Sequence, residues 1–302
     1  MTQTRPVEPL LRGRRGGAIV SALRPRQWTK NLLVLAAPVF AGEVASPGVV
    51  GATLLTCAAF CLGSSAVYLL NDVCDVELDR AHPVKRHRAV ASGALPLRLA
   101  TVLSVVLAVA GLALTALIGW QVLAIYACYV GLNVSYSLRL KHEPVVDIAL
   151  IASGFLLRAI AGGAANDISL SQWFLLIAAF GSLFVAAGKR YGEVSLMGAG
   201  ESVTRTSLRR YSATYLRFVW TMSAAVLVMS YGLWSFEISD RENMPWAAGS
   251  MVPFVLGVLR YAMDVDSGAA GEPEDLAFGD RVLQLFGAAW LALVVVAVYA
   301  RG

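Results

Sequence analysis

The sequence predicts an all-α, polytopic membrane protein with nine transmembrane helices, and three observations carry that expectation. Of the 302 residues, 57% are hydrophobic and 15% are charged, whereas soluble domains carry roughly 25% charge. The apolar residues are gathered into runs close to the roughly 20 residues that a helix needs to cross a bilayer. The cations fall on alternate connections between those runs, as the positive-inside rule requires. The runs lie at 32–45, 48–70, 99–118, 121–138, 145–163, 171–188, 214–236, 246–263 and 281–300, the first of them short. Residues 1–31 read as a cytoplasmic arm and interfacial helix, and residues 32–302 as a single nine-helix domain.

Taken in order, the arm is basic as far as Lys30 and too long before its first apolar run for a cleaved signal peptide. Residues 17–31 have the pattern of an interfacial helix. Ile19, Val20, Leu23 and Trp28 are apolar, while Arg24, Arg26 and Lys30 suit anionic lipid headgroups. Lys30 and Asn31, at the mouth of the first run, are also candidates for contact with a substrate phosphate. With the N-terminus inside, all but three of the 25 Lys and Arg residues lie on the cytoplasmic side, the exceptions being Arg158, Arg241 and Arg301. The sequence is therefore read as a multi-pass protein of the inner (plasma) membrane. Membrane lipids are its expected surroundings, nucleic acid is not an expected partner, and a homo-oligomer is left open. Cys57, Cys61, Cys74 and Cys128 have the spacing of neither a disulfide framework nor a zinc site.

The second run is followed directly by Asn71-Asp72-Val73-Cys74-Asp75-Val76-Glu77-Leu78-Asp79. On a continuous helix at about 100° per residue, Asp72, Asp75 and Asp79 fall within roughly a 60° arc, with Asn71 beside them. Three carboxylates on one stripe repel one another unless a cation neutralises them, and ionisable groups next to a membrane helix are costly and usually functional. An oxygen-only set of this kind suits Mg2+ that also grips a diphosphate. The long loop that follows contains Lys85, Arg86 and Arg88, cations for the remaining phosphate oxygens. His82 and His87 read as loop polar groups, and Ala91-Ser92-Gly93 as a turn.

Two further connections on the same side hold candidates. Tyr136, Arg139 and Lys141 end the fourth run, and Asp147 is an acid inside the fifth. Arg158 lies three helical turns beyond Asp147 on the same face, which reads as a polar internal stripe, and a structural ion pair competes with a catalytic role for Arg158. The connection after the sixth run offers Lys189, Arg190, Tyr191 and the lone acid Glu193, followed by Arg205, Arg209 and Arg210. The acids of the last connection, Asp264, Asp266, Glu272, Glu274 and Asp275, read as a solvated loop. The other side is poor in catalytic groups.

The motif Asn71-Asp72-x-x-Asp75-x-x-x-Asp79 resembles the first Asp-rich motif of the UbiA superfamily, which comprises nine-helix intramembrane prenyltransferases. The resemblance extends over nearly the whole chain and implies a UbiA-like fold with an active site on the cytoplasmic side. Most members carry a second Asp-rich motif, typically DxxxD, where this chain has Lys189-Arg190-Tyr191-Gly192-Glu193. That segment and Arg24-Pro25-Arg26-Gln27-Trp28-Thr29-Lys30-Asn31 are instead similar to one branch, the phosphoribosyltransferases of mycobacterial and corynebacterial cell-wall arabinan synthesis.

This resemblance implies transfer of a 5-phosphoribosyl group from 5-phosphoribosyl 1-diphosphate to polyprenyl (decaprenyl) phosphate with release of diphosphate. It implies Mg2+ on Asp72 and Asp75, assisted by Asn71 and Asp79, and phosphates shared among Lys85, Arg86, Arg88, Lys141, Lys189 and Arg190. Two rival expectations remain. Prenyl transfer to an aromatic acceptor is disfavoured by the acid-poor connection at Lys189–Glu193. Transport is disfavoured because the charge is gathered at one face and not at the midplane.

Overall fold

The computed structural model describes residues 8–198, 210–242, 245–267 and 279–299, which form helices and connections with no strand among them. The elements are α1 (Glu8–Leu23), a 3-10 segment (Pro25–Leu35), α2 (Ala36–Ala41), α3 (Pro47–Cys74), α4 (Val76–Ala81), α5 (Leu97–Ile118) and α6 (Trp120–Leu138), followed by α7 (Val146–Ala164), α8 (Gln172–Gly198), α9 (Ala213–Glu242), α10 (Pro245–Gly249), α11 (Met251–Asp266) and α12 (Arg281–Tyr299). By length and composition, eight spans are apolar enough to cross a membrane: α3, α5 to α9, the α10–α11 pair, and α12. They coincide with eight of the nine expected runs.

The run at 32–45 takes a different form. It continues the 3-10 segment to Leu35 and then makes only the six residues of α2. Proline supplies the physical reason. Pro38 has no N–H to offer the Val34 carbonyl, so the helical ladder is interrupted there, and Gly42 ends α2 at φ 79°. The Val34 carbonyl instead lies against α7 at Gly162, where a Cβ would stand 1.9 Å from the carbonyl oxygen. Asn31 and Val34 are both fully buried, so this broken segment is a wedge in the bundle.

Around the wedge the long helices pack largely in chain order: α3 on α5, α5 on α6, α6 on α7, α7 on α8 and α8 on α9, with α11 on α12. The circuit returns through α2, where the Tyr299 hydroxyl donates to the Val39 carbonyl at 3.3 Å. Tyr126 fills the junction of α3, α5 and α6, its hydroxyl standing where side chains on Gly63 and Gly111 would be. On the opposite side Phe184, Tyr191 and Trp220 stack between α8 and α9, with ring centroids 5.7 and 5.4 Å apart.

The arm also differs from the expected interfacial helix over 17–31. Its helix ends at Leu23, and Ala22 is buried in a small core with Leu69, Val90 and Leu95. Arg24, at φ 53°, then turns the chain into the wedge. Gly93, at φ 78°, makes the expected turn ahead of α5. Between α2, α7, α8, α9, α11 and α12 lies an apolar cavity of about 530 Å3, bordered by residues such as Leu33, Phe40, Phe155, Phe184, Trp234 and Trp290.

The approach at Gly162 gives a direct test. Gly162→Ala is expected to destabilise the protein by about 3 kcal/mol through overpacking against a backbone that has little room to move. The thermal midpoint in detergent measures this, and an unchanged midpoint would mean that the wedge is free to shift.

Candidate active site

The Asp-rich stretch is not one helix. α3 stops at Cys74, Asp75 sits at φ −98°, ψ 10°, and α4 restarts at Val76, so the expected single stripe is broken into a turn. The turn keeps the acids together by another route. Asp72, 3% exposed, accepts from Arg24 Nη2 at 2.5 Å and from Arg88 Nη1 at 3.2 Å. The same Arg88 nitrogen donates to Asp79 Oδ2 at 2.8 Å, so one guanidinium bridges α3 and α4. Asp75 is paired with Lys141, which arrives from the corner after α6.

Each acid of the trio thus faces a cation, and among the described residues no three His, Cys, Asp or Glu side chains converge as a ready-made metal cage. The donor chemistry nevertheless fits a hard cation. All four candidate ligands offer oxygen, and the Asn71 Oδ1 atom is buried without a hydrogen-bond partner. Of the cations in the following loop, Arg88 turns inward to the acids. Arg86 is exposed and donates to His87 Nε2 at 3.3 Å. His82 Nδ1 accepts from the backbone amides of Val84 and Lys85, which shapes the loop and leaves Lys85 half-buried.

A second network lies beside the first, where α6, α7 and α8 meet. Asp147 and Arg158 share the polar face of α7 that the sequence predicts, but Asp147 pairs with Arg190, whose Nε lies 2.9 Å from its Oδ2, with both side chains essentially unexposed. Arg190 also bonds Glu193 at 2.5 Å and the Tyr136 hydroxyl at 2.9 Å. Its guanidinium is therefore occupied in joining three helices. Tyr211, which sequence reading passed over, donates to Asp147 Oδ1 at 2.5 Å and accepts from the Val145 amide at 2.5 Å. Burial, and then the hydrogen bond to Asp147, push the Tyr211 phenol above its usual range, so it remains a proton donor at neutral pH.

Other candidates are placed differently. Tyr191 faces α9 and α11: its hydroxyl donates to Asp266 at 2.7 Å and accepts from Arg217 at 2.6 Å. Lys189 is half-buried at the same end of α8, and Arg139 is exposed. Lys30 is engaged with Gln27. Asn31 is buried in the wedge, where its amide donates to Cys61 Sγ at 3.2 Å and Ser64 Oγ at 3.4 Å and its oxygen accepts from Arg158.

Asp264, expected in a solvated loop, is buried beside Arg260, which also binds Asp280. Arg205, Arg209, Glu272, Glu274 and Asp275 lie outside the described residues. Arg24 and Tyr211 are the additions that the structure makes. Arg24 carried a signal, in Arg24-Pro25-Arg26, whereas nothing local distinguished Tyr211.

The Asp147–Arg190 pair generates its own test. Arg190→Met strands a buried carboxylate and is expected to cost about 3 to 5 kcal/mol of stability. Tyr211→Phe, which removes one hydrogen bond from it, should cost about 1 to 2 kcal/mol. Detergent unfolding of the two variants measures both, and an Arg190 variant of wild-type stability would show that the pair is dispensable.

Known proteins resemble this chain in sequence and in fold. It is 47% identical over 293 residues to a decaprenyl-phosphate phosphoribosyltransferase of Mycolicibacterium smegmatis, covering 93% of this chain and 92% of that protein. With the protein of the same name from Mycobacterium tuberculosis it shares 50% over 284 residues, covering 93% and 94%. In fold it is similar to a UbiA homologue from Archaeoglobus fulgidus bound to GPP and Mg2+, with a TM-score of 0.70, 18% identity, and 94% and 98% of the two chains covered. Residues 32–278 match the UbiA prenyltransferase family, and the chain belongs to that family.

Proposed function

We propose that this protein transfers the 5-phosphoribosyl group of 5-phosphoribosyl 1-diphosphate to polyprenyl phosphate, decaprenyl phosphate being the acceptor named by its relatives, and releases diphosphate. The observation that carries the reading is kinship of 47–50% along nearly the whole chain with proteins of that name. The site supports it independently. Acids and cations are interleaved at one end of the bundle, and Lys189–Glu193, which the sequence placed in a connection but which continues α8 to Gly198, lacks the second acidic pair that prenyl-diphosphate chemistry in this family employs. The proposal places that end, and the N-terminus, on the cytoplasmic face of the plasma membrane, with the product serving cell-wall arabinan synthesis.

Asp72, Asp75, Asp79 and Asn71 would hold Mg2+, which would supply positive charge against the diphosphate as it leaves. Arg24, Arg88 and Lys141 already stand at hydrogen-bond distance from those acids. Each can turn from a carboxylate to a phosphate oxygen with little movement. Lys85, Arg86 and Lys189 extend the cationic lining.

The acceptor phosphate is anionic at neutral pH, so the chain need not supply a strong base. Its oxygen attacks C1 of the ribose, the C1–oxygen bond to diphosphate breaks, and configuration at C1 inverts. The contribution of the chain is alignment: donor from the water side, lipid from the apolar cavity between α7, α8 and α9.

The primary test supplies purified protein in detergent with Mg2+, polyprenyl phosphate and labelled donor. Label should enter the lipid fraction and should cease to do so with EDTA. No lipid-linked label from folded protein would overturn the reading. Asp72→Ala and Asp75→Ala should each lower turnover on the order of 10^2 to 10^3-fold. The Asp72 change should have little effect on stability, because Arg24 and Arg88 are 25% and 29% exposed and retain water. Lys189→Ala should weaken donor binding roughly tenfold, within the range of a lost charged hydrogen bond. An unchanged donor KM would remove Lys189 from the phosphate set.

A further inference from the structure

Arg158 lies deep in α7 and is only 6% exposed. Its Nε donates to Asn31 Oδ1 at 2.6 Å, its Nη2 to the Tyr129 hydroxyl at 2.9 Å, and its Nη1 to the Gly154 carbonyl. The Tyr129 and Phe60 rings stand 4.7 and 5.9 Å from the guanidinium carbon. Every one of these partners is neutral. Asp147, the acid on its own helix, belongs to Arg190, and the acids of α3 and α4 belong to Arg24, Arg88 and Lys141. A guanidinium inside an apolar bundle without a carboxylate is expensive and usually functional. Three of its N–H groups are spent, and a guanidinium has five.

We infer that Arg158 is the seat of a substrate phosphate inside the bundle, a phosphomonoester dianion supplying the counter-charge that none of the described residues provides. The surroundings suit that ligand. Ser64, Tyr68 and Asp72 follow one another at four-residue spacing on α3, a polar track leading from Arg158 to the Asp-rich turn. At 1.5 Å per residue, Ser64 lies about 12 Å along α3 from Asp72. On the other side, Phe155 and Ala159, which bracket Arg158 on α7, line the apolar cavity together with Leu33 and Ala36 of the wedge. Arg158 therefore stands between the polar track and the cavity for a lipid tail. The dianion has two sources under the proposed reaction, the 5-phosphate of the donor and the phosphate of the polyprenyl acceptor. The inference deepens that reaction and rests on it for these two sources alone.

The test uses full-length protein in detergent, titrated separately with inorganic phosphate, 5-phosphoribosyl 1-diphosphate and polyprenyl phosphate. Thermal midpoint and equilibrium binding are both followed. Two variants are compared with wild type. Arg158→Gln removes the charge. Asn31→Asp places a carboxylate on Arg158 Nε, supplying the counter-charge from within. The expected result is that Asn31→Asp unfolds at or above the wild-type midpoint, yet binds phosphate at least tenfold more weakly. Arg158→Gln should show the same loss, and if it does not fold, Asn31→Asp alone decides.

A loss confined to the donor identifies the 5-phosphate, and one confined to the lipid identifies the acceptor phosphate. Unchanged binding of all three ligands in Asn31→Asp, or a lower midpoint for that variant, overturns the inference. So does a wild type that binds no phosphate. Wild type that binds phosphate but transfers no label refutes the reaction and leaves Arg158 as an anion site. Wild type that transfers label, while Asn31→Asp binds as wild type, refutes the role of Arg158 alone.

Discussion

The Asp147–Arg190 ion pair, with neither side chain exposed above 1%, ties the Asp-rich end of the bundle together. Two charges in an apolar interior are tolerated only when they are matched and their remaining hydrogen-bonding capacity is used. Here that capacity is taken up by Tyr136 from α6, Glu193 from α8 and Tyr211 from the approach to α9. Tyr211 also receives the amide of Val145, a non-glycine residue at φ 68°. Strain of this kind persists where its surroundings over-determine it. The corner between α6 and α7 is thereby held, and that same corner delivers Lys141 to Asp75. The catalytic geometry proposed above depends on charge matching one layer deeper.

The same rule explains the interleaving of acids and cations. In the proposed reaction a diphosphate donor, a metal ion and an anionic lipid headgroup would meet at the edge of an apolar phase, where unpaired charge is costly. Arg88 bridges Asp72 and Asp79, Arg24 reaches Asp72 from the arm, and Lys141 reaches Asp75 from the opposite side. The groups suited to gripping a metal and those suited to gripping phosphate lie one hydrogen bond apart.

The wedge formed by the 3-10 segment and α2 separates two environments. One face holds Asn31 against Cys61, Ser64 and Arg158, and the other lends Leu33, Ala36 and Phe40 to the apolar cavity. A regular helix would present the same residues on a continuous spiral. The interruption at Pro38 and the bare surface of Gly162 allow the backbone to approach α7 closely and keep the two faces distinct.

Much of this was legible in the amino-acid order. Hydropathy runs set eight spans because crossing a bilayer requires a certain length of apolar helix, a local property of the chain. Asp72, Asp75 and Asp79 stood out because carboxylates beside an apolar run demand a reason. Lys141 and Arg88 stood out as cations at the same end. Periodicity alone could not say which cation meets which acid. Helical spacing put Asp147 and Arg158 on one face of one helix, yet their partners, Arg190 on one hand and Asn31 and Tyr129 on the other, arrive from elements dozens of residues away. The break at Asp75, the wedge at Pro38 and the role of Tyr211 likewise depend on contacts between helices. Sequence determines what each segment must bury; the packing of the bundle decides against what, and with charges in an apolar interior that second decision sets the chemistry.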